Sequence, residues 1–318
     1  MHATESSLPH WPALPWEEWH DTASTLHMWT QMVGKVRLAL TPMQQHWWNV
    51  PLYVSARGLT TSAMPVGEQY LDIEFDFVSH ELRFRLSTGD LRSTPLSAQS
   101  VRDFYADFQK SLTALGLNIR IHPVPVEIQN PIPFAEDTHH HSYDPEAANR
   151  FWRVLMSAER VLQKFSSGFI GKISPVHFFW GSFDLAVSRF SGRPAPPRAG
   201  GDAITQEAYS EEVISVGFWP GNGGYGQPAF YSYTVPQPAA LPQTSIRPVA
   251  AAFNPELGEF LFDYEAMRRE DDPDAALMEF LQSTYEAGAS LSGWDRKALE
   301  RPAGSRYAPS LRSKLQSR

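Results

Sequence analysis

The sequence of 318 residues has no cysteine, and this absence excludes several kinds of chemistry. Disulfide bonds, thiolate nucleophiles, and cysteine-ligated zinc or iron–sulfur sites all require that side chain. A chain without cysteine also fits a reducing compartment.

The chain also lacks the apolar segments that export and membrane insertion require. Its first residues, MHATESSLPHW, contain neither a basic stretch nor the apolar core of a secretory signal peptide. Elsewhere, charged residues or proline interrupt each apolar run well before it reaches the length of a membrane helix. We therefore expect a cytoplasmic protein with no membrane partner.

Basic residues are outnumbered by acidic ones, 27 against 35, for a net charge of −8. No basic stripe runs between the aromatic residues, so we expect no nucleic-acid partner. The segment 301–318 is the exception, because it carries only basic charges among serine, proline and glycine. This composition predicts a disordered basic tail.

Aromatic residues are abundant, at 13% of the chain with ten tryptophans. Large rings fill protein cores, and they also line ligand pockets.

Hydrophobic periodicity predicts a first half made of a helix from Trp16, a sheet and a closing helix. A strand is predicted at 46–58 and another at 118–128. Between them lies a hairpin whose acidic and basic residues are expected to form cross-strand pairs on a solvated face. The closing helix is predicted from the stripe that contains Val101, Phe104, Tyr105, Phe108, Leu112 and Leu115.

The second half repeats this pattern. Asp144 followed by Pro145 predicts a helix start, and Asp272 followed by Pro273 predicts another. A long strand is predicted at 177–190, followed by the strands EEVISVGFW, AFYSYTV and EFLFDY.

The segments VGK…HWW and IGK…HFF occupy equivalent positions in the two halves, which indicates an internal duplication; chance similarity between aromatic strands is the alternative. We therefore predict an α+β fold in which two pseudo-repeated helix–antiparallel sheet–helix halves, 1–130 and 131–300, pack together.

Several of these stretches resemble a bacterial family known only as a domain of unknown function. They are WPALPWEEWHDTASTLHMWTQ, WWNVPLYVSARGLTT, SPVHFFWGSFDLAVSRFSGR, EAYSEEVISVGFWPG and PELGEF. The similarity extends over nearly the whole chain, from Trp11 to about Leu299, and it implies a free-standing protein without an assigned activity. Where this chain has EDTHHHSYDPE, the family pattern has a single histidine, at the position of His140.

Alternation along the predicted strand 177–190 suggests a ligand site. One face would carry only apolar residues. The other face mixes rings with polar groups, which is the composition of a pocket lining: Phe178, Trp180, Ser182, Asp184 and Ser188. In the first half, Tyr53 and Arg57 belong to a similar face. Asp184 could instead cap a turn or pair with an arginine such as Arg189.

His177, Asp184 and Glu212 are the candidate catalytic residues. His177 would act as a general base oriented by a carboxylate. Alternatively His140, His177 and Glu212 would hold a divalent transition metal, since two histidines and a carboxylate form a facial ligand set. His177 could also simply satisfy a backbone carbonyl, and the triple-histidine loop could be solvated.

The glycine-rich segment 220–228 lies between two predicted strands, so we expect a hairpin loop, or a mobile lid, and not a phosphate-binding loop. The sequence as a whole favours a protein that binds a small organic ligand in an aromatic-walled cleft, with enzymatic His/carboxylate chemistry as the further expectation. A non-catalytic binding or protein-interaction module is the alternative.

Overall fold

A computed structural model describes residues 10–198 and 200–302 of the chain. Its first long element is helix α1 (Trp16–Leu40), which the apolar stripe predicted and which continues beyond it. Gly34 lies inside α1, where glycine weakens a helix by roughly 1 kcal/mol relative to alanine. A Cβ at this position would lie 2.2 Å from the Trp180 indole, so glycine allows that ring to pack against the helix.

The first sheet is antiparallel. Its strands are β1 (Tyr53–Val54), β2 (Gly58–Thr60), β3 (Met64–Val66), β4 (Gln69–Asp76), β5 (Glu81–Leu86) and β6 (Leu91–Pro95). Strands β1, β2, β4, β5 and β6 lie side by side in that order, and β3 pairs with β4. Helix α2 (Val101–Ala114) packs against β6 and α1.

Charged residues of the β4–β5 hairpin form the predicted cross-strand pairs. Arg85 contacts Asp72 at 2.8 Å and Glu74 at 2.6 Å, while Arg83 contacts Asp76 at 2.9 Å.

The second half begins with helix α3 (Pro145–Ser167), whose first turn is capped by the Asp144 carboxylate as predicted. The elements that follow are β7 (His177–Phe179), β8 (Asp184–Pro194), α4 (Ala203–Ala208), β9 (Glu211–Trp219), β10 (Ala229–Val235), β11 (Ala252–Asn254), β12 (Glu259–Asp263), α5 (Tyr264–Arg268), α6 (Pro273–Leu291) and α7 (Arg296–Leu299). The six strands form a second antiparallel sheet with the order β11-β12-β10-β9-β8-β7.

The two sheets meet at their first strands. Leu52 and Phe178 exchange backbone hydrogen bonds of 2.9 and 2.8 Å, so β1 and β7 are neighbours. One hydrophobic cluster runs through both halves, from Trp11 to Trp294. The α+β prediction is therefore confirmed.

The internal duplication and the boundary at residue 130 remain predictions. Each half has a long helix, antiparallel strands and a later helix. The strand orders differ in one respect, because β3 pairs with β4 near the middle of its sheet whereas β11 lies at the far edge of the other. The predicted tail lies outside the described residues from 303 onward. No helix in the described ranges is long and apolar enough to cross a membrane.

The predicted strand 46–58 begins only at Tyr53, and the predicted strand 118–128 is not formed. Residues 46–52 form a 3₁₀ turn and loop, because His46 and Trp47 adopt left-handed φ values of 55° and 61°. Residues 118–128 lie in a loop, where Pro123 and Pro125 cannot donate to a strand ladder.

The predicted strand 177–190 is a hairpin. The chain reverses between β7 and β8, where Phe183 has a φ of 62° and donates its N–H to the Phe179 carbonyl at 2.7 Å. Phe178 therefore pairs with Leu185 and is completely buried, so its predicted position on the pocket face is wrong.

Candidate functional site

A cavity of about 470 Å³ lies on one face of the second sheet, where the two halves meet. Small residues on the adjacent strands β8 and β9 form its floor: they are Ala186, Ser188 and Ser215, and Ser188 pairs with Ser215. Because these side chains are short, they leave open space between the larger residues that surround them.

Aromatic rings from both halves form the walls. They are Trp47, Trp48, Phe179, Trp180, Phe190, Tyr209, Tyr231 and Tyr233. The indole N–H of Trp180 donates to the Val50 carbonyl at 2.8 Å, which fixes this ring between the halves. Helix α4 covers the 3₁₀ turn at Gln45–Trp47, and it adds Ile204, Thr205 and Ala208 to the lining.

Asp184 is the buried carboxylate of the cavity, with 8% of the residue exposed. Its two oxygens accept hydrogen bonds from the hydroxyl groups of Ser182 and Tyr231. A Cβ on Gly217 would lie 2.5 Å from the Tyr231 hydroxyl, so this glycine makes room for the Tyr231 contact. Burial raises the pKa of Asp184, and the two hydroxyl donors only partly oppose that effect.

Two further carboxylates lie near Asp184. Glu127 is an exposed residue that lines the cavity, and partial burial of its carboxylate together with the Asp184 charge raises its pKa. Glu259 on β12 has a pKa raised to about 7, by burial first and by the Asp184 charge second. The acidic groups therefore repel one another at this side of the cavity.

Polar residues of α1 hold the two loops that carry Glu127 and Ser182. Gln31 exchanges hydrogen bonds of 2.8 Å with both backbone groups of Val126. His27 donates from Nε2 to the Gly181 carbonyl at 2.8 Å and stacks on Phe183 at 4.8 Å between ring centroids. Burial lowers the pKa of His27 to about 4, so this ring is neutral and acts as a fixed donor.

His46 lines the opposite wall and belongs to a polar network between the halves. Its Nδ1 lies 3.1 Å from the carbonyls of Glu207 and Ala208, to which it donates. Its Nε2 accepts from the Lys172 ammonium group at 2.6 Å, and Lys172 also bonds to Glu211. Both ring nitrogens are occupied, so His46 positions α4 against the 3₁₀ turn.

A family model described as a family of unknown function, DUF5996, matches residues 11–301. The chain belongs to this family. The match confirms the whole-chain resemblance inferred from the sequence motifs. Neither the curated proteins nor the solved structures contain a significant match.

The structure does not place His177, the predicted centre of the site, at the cavity. The ring is completely buried one layer behind the wall, 5.5 Å from the rings of Tyr53 and Phe179. Neither ring nitrogen has a hydrogen-bond partner among the described residues. Burial and the nearby Arg37 lower the pKa of His177 to about 3.

The proposed metal ligands do not come together. His140 donates to Asp137 at 2.7 Å, and Glu212 is paired with Arg193 at 2.6 Å. Within the described part of the chain, no three histidine or carboxylate side chains converge to hold a metal ion. Strand register explains this result, because Glu212 is the second residue of β9 and lies opposite the far end of β8, beyond Phe190.

Of the other candidate residues, three line the cavity and the rest lie elsewhere in the fold. Trp180, Ser182 and Asp184 line the cavity. Arg57 instead bonds to Asp76 at 2.5 Å, and Tyr53 packs between Arg37 and His177. Arg189 faces the helices, where its guanidinium lies 3.4 Å from the Phe165 ring centroid, so it is not the partner of Asp184.

Sequence reasoning missed Glu127, Tyr231, Tyr233 and the His46 network. The alternation in AFYSYTV contains a usable signal, because Tyr231 and Tyr233 must share one face of their strand. Glu127 has no such signal, since it lies in an irregular loop with a left-handed φ of 57°.

The glycine-rich segment 220–228 connects β9 and β10, as expected for a hairpin loop. Asn222 donates to the Ser182 carbonyl at 2.9 Å and accepts from the Trp219 indole at 2.7 Å. The loop is thus attached to the hairpin that carries Ser182; its motion as a lid stays a prediction.

Chemically, the cavity offers the buried carboxyl group of Asp184 and the carboxyl group of the exposed Glu127. A carboxyl group with a raised pKa can donate a proton, and a neighbouring carboxylate can accept one. The aromatic walls offer flat apolar surfaces and negatively polarised ring faces.

Proposed function

We propose that this protein binds a small organic ligand in the aromatic cavity, with Asp184 as the polar group that orients it. The observation that carries the proposal is a partly open cavity of about 470 Å³ with aromatic walls and a buried carboxylate. Ligand pockets of this size are mainly apolar and contain a few fixed polar groups. Acid–base catalysis would use Asp184 and Glu127 in place of the histidine chemistry expected from the sequence.

Burial of the tryptophans favours a ligand site over a protein-interaction module. Trp19 and Trp29 are 1% and 0% exposed and belong to the core. Trp180 is 6% exposed and contacts the cavity from inside the fold. A module that docks a macromolecule would present such rings on its surface.

A cytoplasmic location and the lack of a nucleic-acid partner are further parts of the proposal. They are supported by the absence of cysteine and by the net charge of −8.

The proposal is tested by filling the cavity. Ala186 lies on its floor and is 3% exposed, so Ala186→Phe would place a ring in the open space. Ala106→Phe, on the exposed side of α2, is the matched control. Each protein is dialysed against a filtered small-molecule extract of a bacterial lysate, and the retained compounds are measured by mass spectrometry.

We expect the wild-type protein and Ala106→Phe to retain the same compound, and Ala186→Phe to lose it. Equal retention by both variants, or retention of nothing by the wild-type protein, would contradict a ligand function for the cavity. Circular dichroism checks that Ala186→Phe is folded. If it is not, Ser188→Phe, from the same floor, replaces it.

A further inference from the structure

Three carboxylates lie near the cavity: Asp184 is buried, Glu259 is half-buried and Glu127 is exposed. Asp76, which is completely buried, is neutralised by Arg57 and Arg83 at 2.5 and 2.9 Å. Asp184, Glu127 and Glu259 form no ion pair with any residue in the described part of the chain. The side chains that bond to the Asp184 carboxylate are the neutral hydroxyl groups of Ser182 and Tyr231.

An unpaired carboxylate in a buried site is costly, since it loses its hydration without gaining a counter-charge. The three groups also act on one another, because the negative charge of Asp184 contributes to the raised pKa of both Glu127 and Glu259. Arg198 also lines the cavity, but its guanidinium lies over the Tyr209 ring and forms no ion pair with these three groups in the described part of the chain. A positive charge inside the cavity would relieve this repulsion.

The walls are suited to a positive charge. Ring faces of tryptophan and tyrosine attract cations through their quadrupole. The protein already uses these rings in this way, since Arg198 lies 4.5 Å from the Tyr209 ring centroid and Lys172 lies 5.9 Å from that of Trp48. Tyr231 and Tyr233, stacked at 6.0 Å, are next to Asp184 and have no such cation among the described residues.

We propose that the ligand of this cavity is a small organic cation, an ammonium or quaternary amine, whose charge lies between Asp184 and the aromatic walls. This inference rests on the proposed function and adds to it the charge of the ligand. Glu127 would add a second negative charge. Its carboxylate lies next to Gly181, and the two hydrogen bonds between Gln31 and the Val126 backbone hold its loop in place. The alkyl groups of the cation would contact the rings.

Four probes of nearly the same shape separate charge from size. Choline and 3,3-dimethylbutylamine are cations, 3,3-dimethyl-1-butanol is the neutral counterpart of choline, and 3,3-dimethylbutanoate is an anion. Binding of each is followed by tryptophan fluorescence, for which Trp47, Trp48 and Trp180 are reporters in the wall. We expect at least one cation to bind about tenfold or more tightly than the alcohol, a difference of ~1.4 kcal/mol.

Two variants assign this preference to the carboxylates. Asp184→Asn keeps the shape of the side chain and should reduce the preference for the cation to about twofold or less, ~0.4 kcal/mol. Glu127→Gln, in which the hydroxyl contacts of Asp184 are kept, should reduce it partly. The exposed Asp271→Asn is the matched control and should leave all affinities unchanged. Should Asp184→Asn not fold, Glu127→Gln decides the question.

The outcomes separate this inference from the proposed function. Equal binding of choline and the alcohol, or tightest binding of the anion, would overturn the cation while leaving a small-ligand function in place. Failure of all four probes would also overturn the cation and leave the small-ligand function in place, if the wild-type protein still retains a compound that Ala186→Phe loses. If no compound is retained either, both proposals fail.

Discussion

Asp184 and His177 are buried titratable residues on the two paired strands of one hairpin, and their surroundings differ. Asp184 has hydroxyl donors and faces a cavity, whereas His177 has aromatic neighbours and no hydrogen-bond partner among the described residues. Each is kept at a cost in folding free energy. Asp184 lies in a cavity, and titratable groups with shifted pKa values in clefts are often functional. Its cost in stability therefore has a functional explanation, whereas that of His177 has none.

The stability contribution of His177 can be measured. We expect His177→Phe to raise the free energy of unfolding by about 1 kcal/mol at neutral pH, because it removes two unpaired buried nitrogens from an aromatic environment. The gain should increase in acid. The wild-type ring, with a pKa of about 3 when folded, is neutral in the native state but becomes protonated on unfolding below its ordinary value of 6.5.

Urea unfolding of both proteins at several pH values checks this prediction. His177→Leu is a second variant in case the larger phenyl ring does not fit. Ligand retention should be unchanged in either variant, since His177 does not line the cavity. A loss of retention with unchanged stability would instead restore His177 to the site.

At the scale of elements, the long helices and the cavity strands β9 and β10 could be predicted well, whereas the β7–β8 hairpin could not. Helix α3 has a capping aspartate, a proline in its first turn and a regular apolar stripe, so every local signal agrees. The β7–β8 hairpin has no comparable signal. Its turn contains Trp180 and Phe183, which favour strands, and a left-handed phenylalanine is rare enough that local propensity argues against it. Tertiary packing decides this turn, since His27 and Phe151 stack on Phe183.

Gly181 in this turn offers a test of the loop geometry. A Cβ there would lie 2.2 Å from Glu127 Oε1, and its three nearest neighbours are all atoms of the Glu127 carboxylate. Gly181→Ala should therefore displace this carboxylate with little effect on folding, because alanine also reduces the entropy of the unfolded chain. We expect choline affinity to fall about fivefold, ~1 kcal/mol, with unfolding free energy unchanged or slightly raised.

Gly168→Ala is the matched control for Gly181→Ala. Its Cβ would have ordinary contacts, the nearest at 3.5 Å, and it lies at the end of α3 away from the cavity. If choline affinity is lost in Asp184→Asn but kept in Gly181→Ala, the Glu127 carboxylate takes no part in recognition.

At the scale of the whole molecule, the cavity exists only because both halves contribute to it. Trp47, Trp48 and Glu127 come from the first half, and Asp184 and Tyr231 come from the second. Alternation within one strand could place Asp184 beside Trp180, but no local pattern could bring Glu127 to them. That meeting depends on the packing of α1, whose residues Gln31 and His27 hold both loops.

The contacts between the two halves also predict how the protein unfolds. A single hydrophobic cluster joins the halves, and the backbone hydrogen bonds between Leu52 and Phe178 link their sheets. Neither half can separate without exposing the buried faces of α1 and α3, which contact each other. We therefore expect one cooperative transition in scanning calorimetry, with a ratio of van't Hoff to calorimetric enthalpy of about one. Near-ultraviolet circular dichroism of the tryptophans and far-ultraviolet dichroism of the backbone should follow the same curve. Two separable transitions would mean that residues 1–130 and 131–300 are independent domains. The cavity would then lie at a domain boundary that can open while each half stays folded.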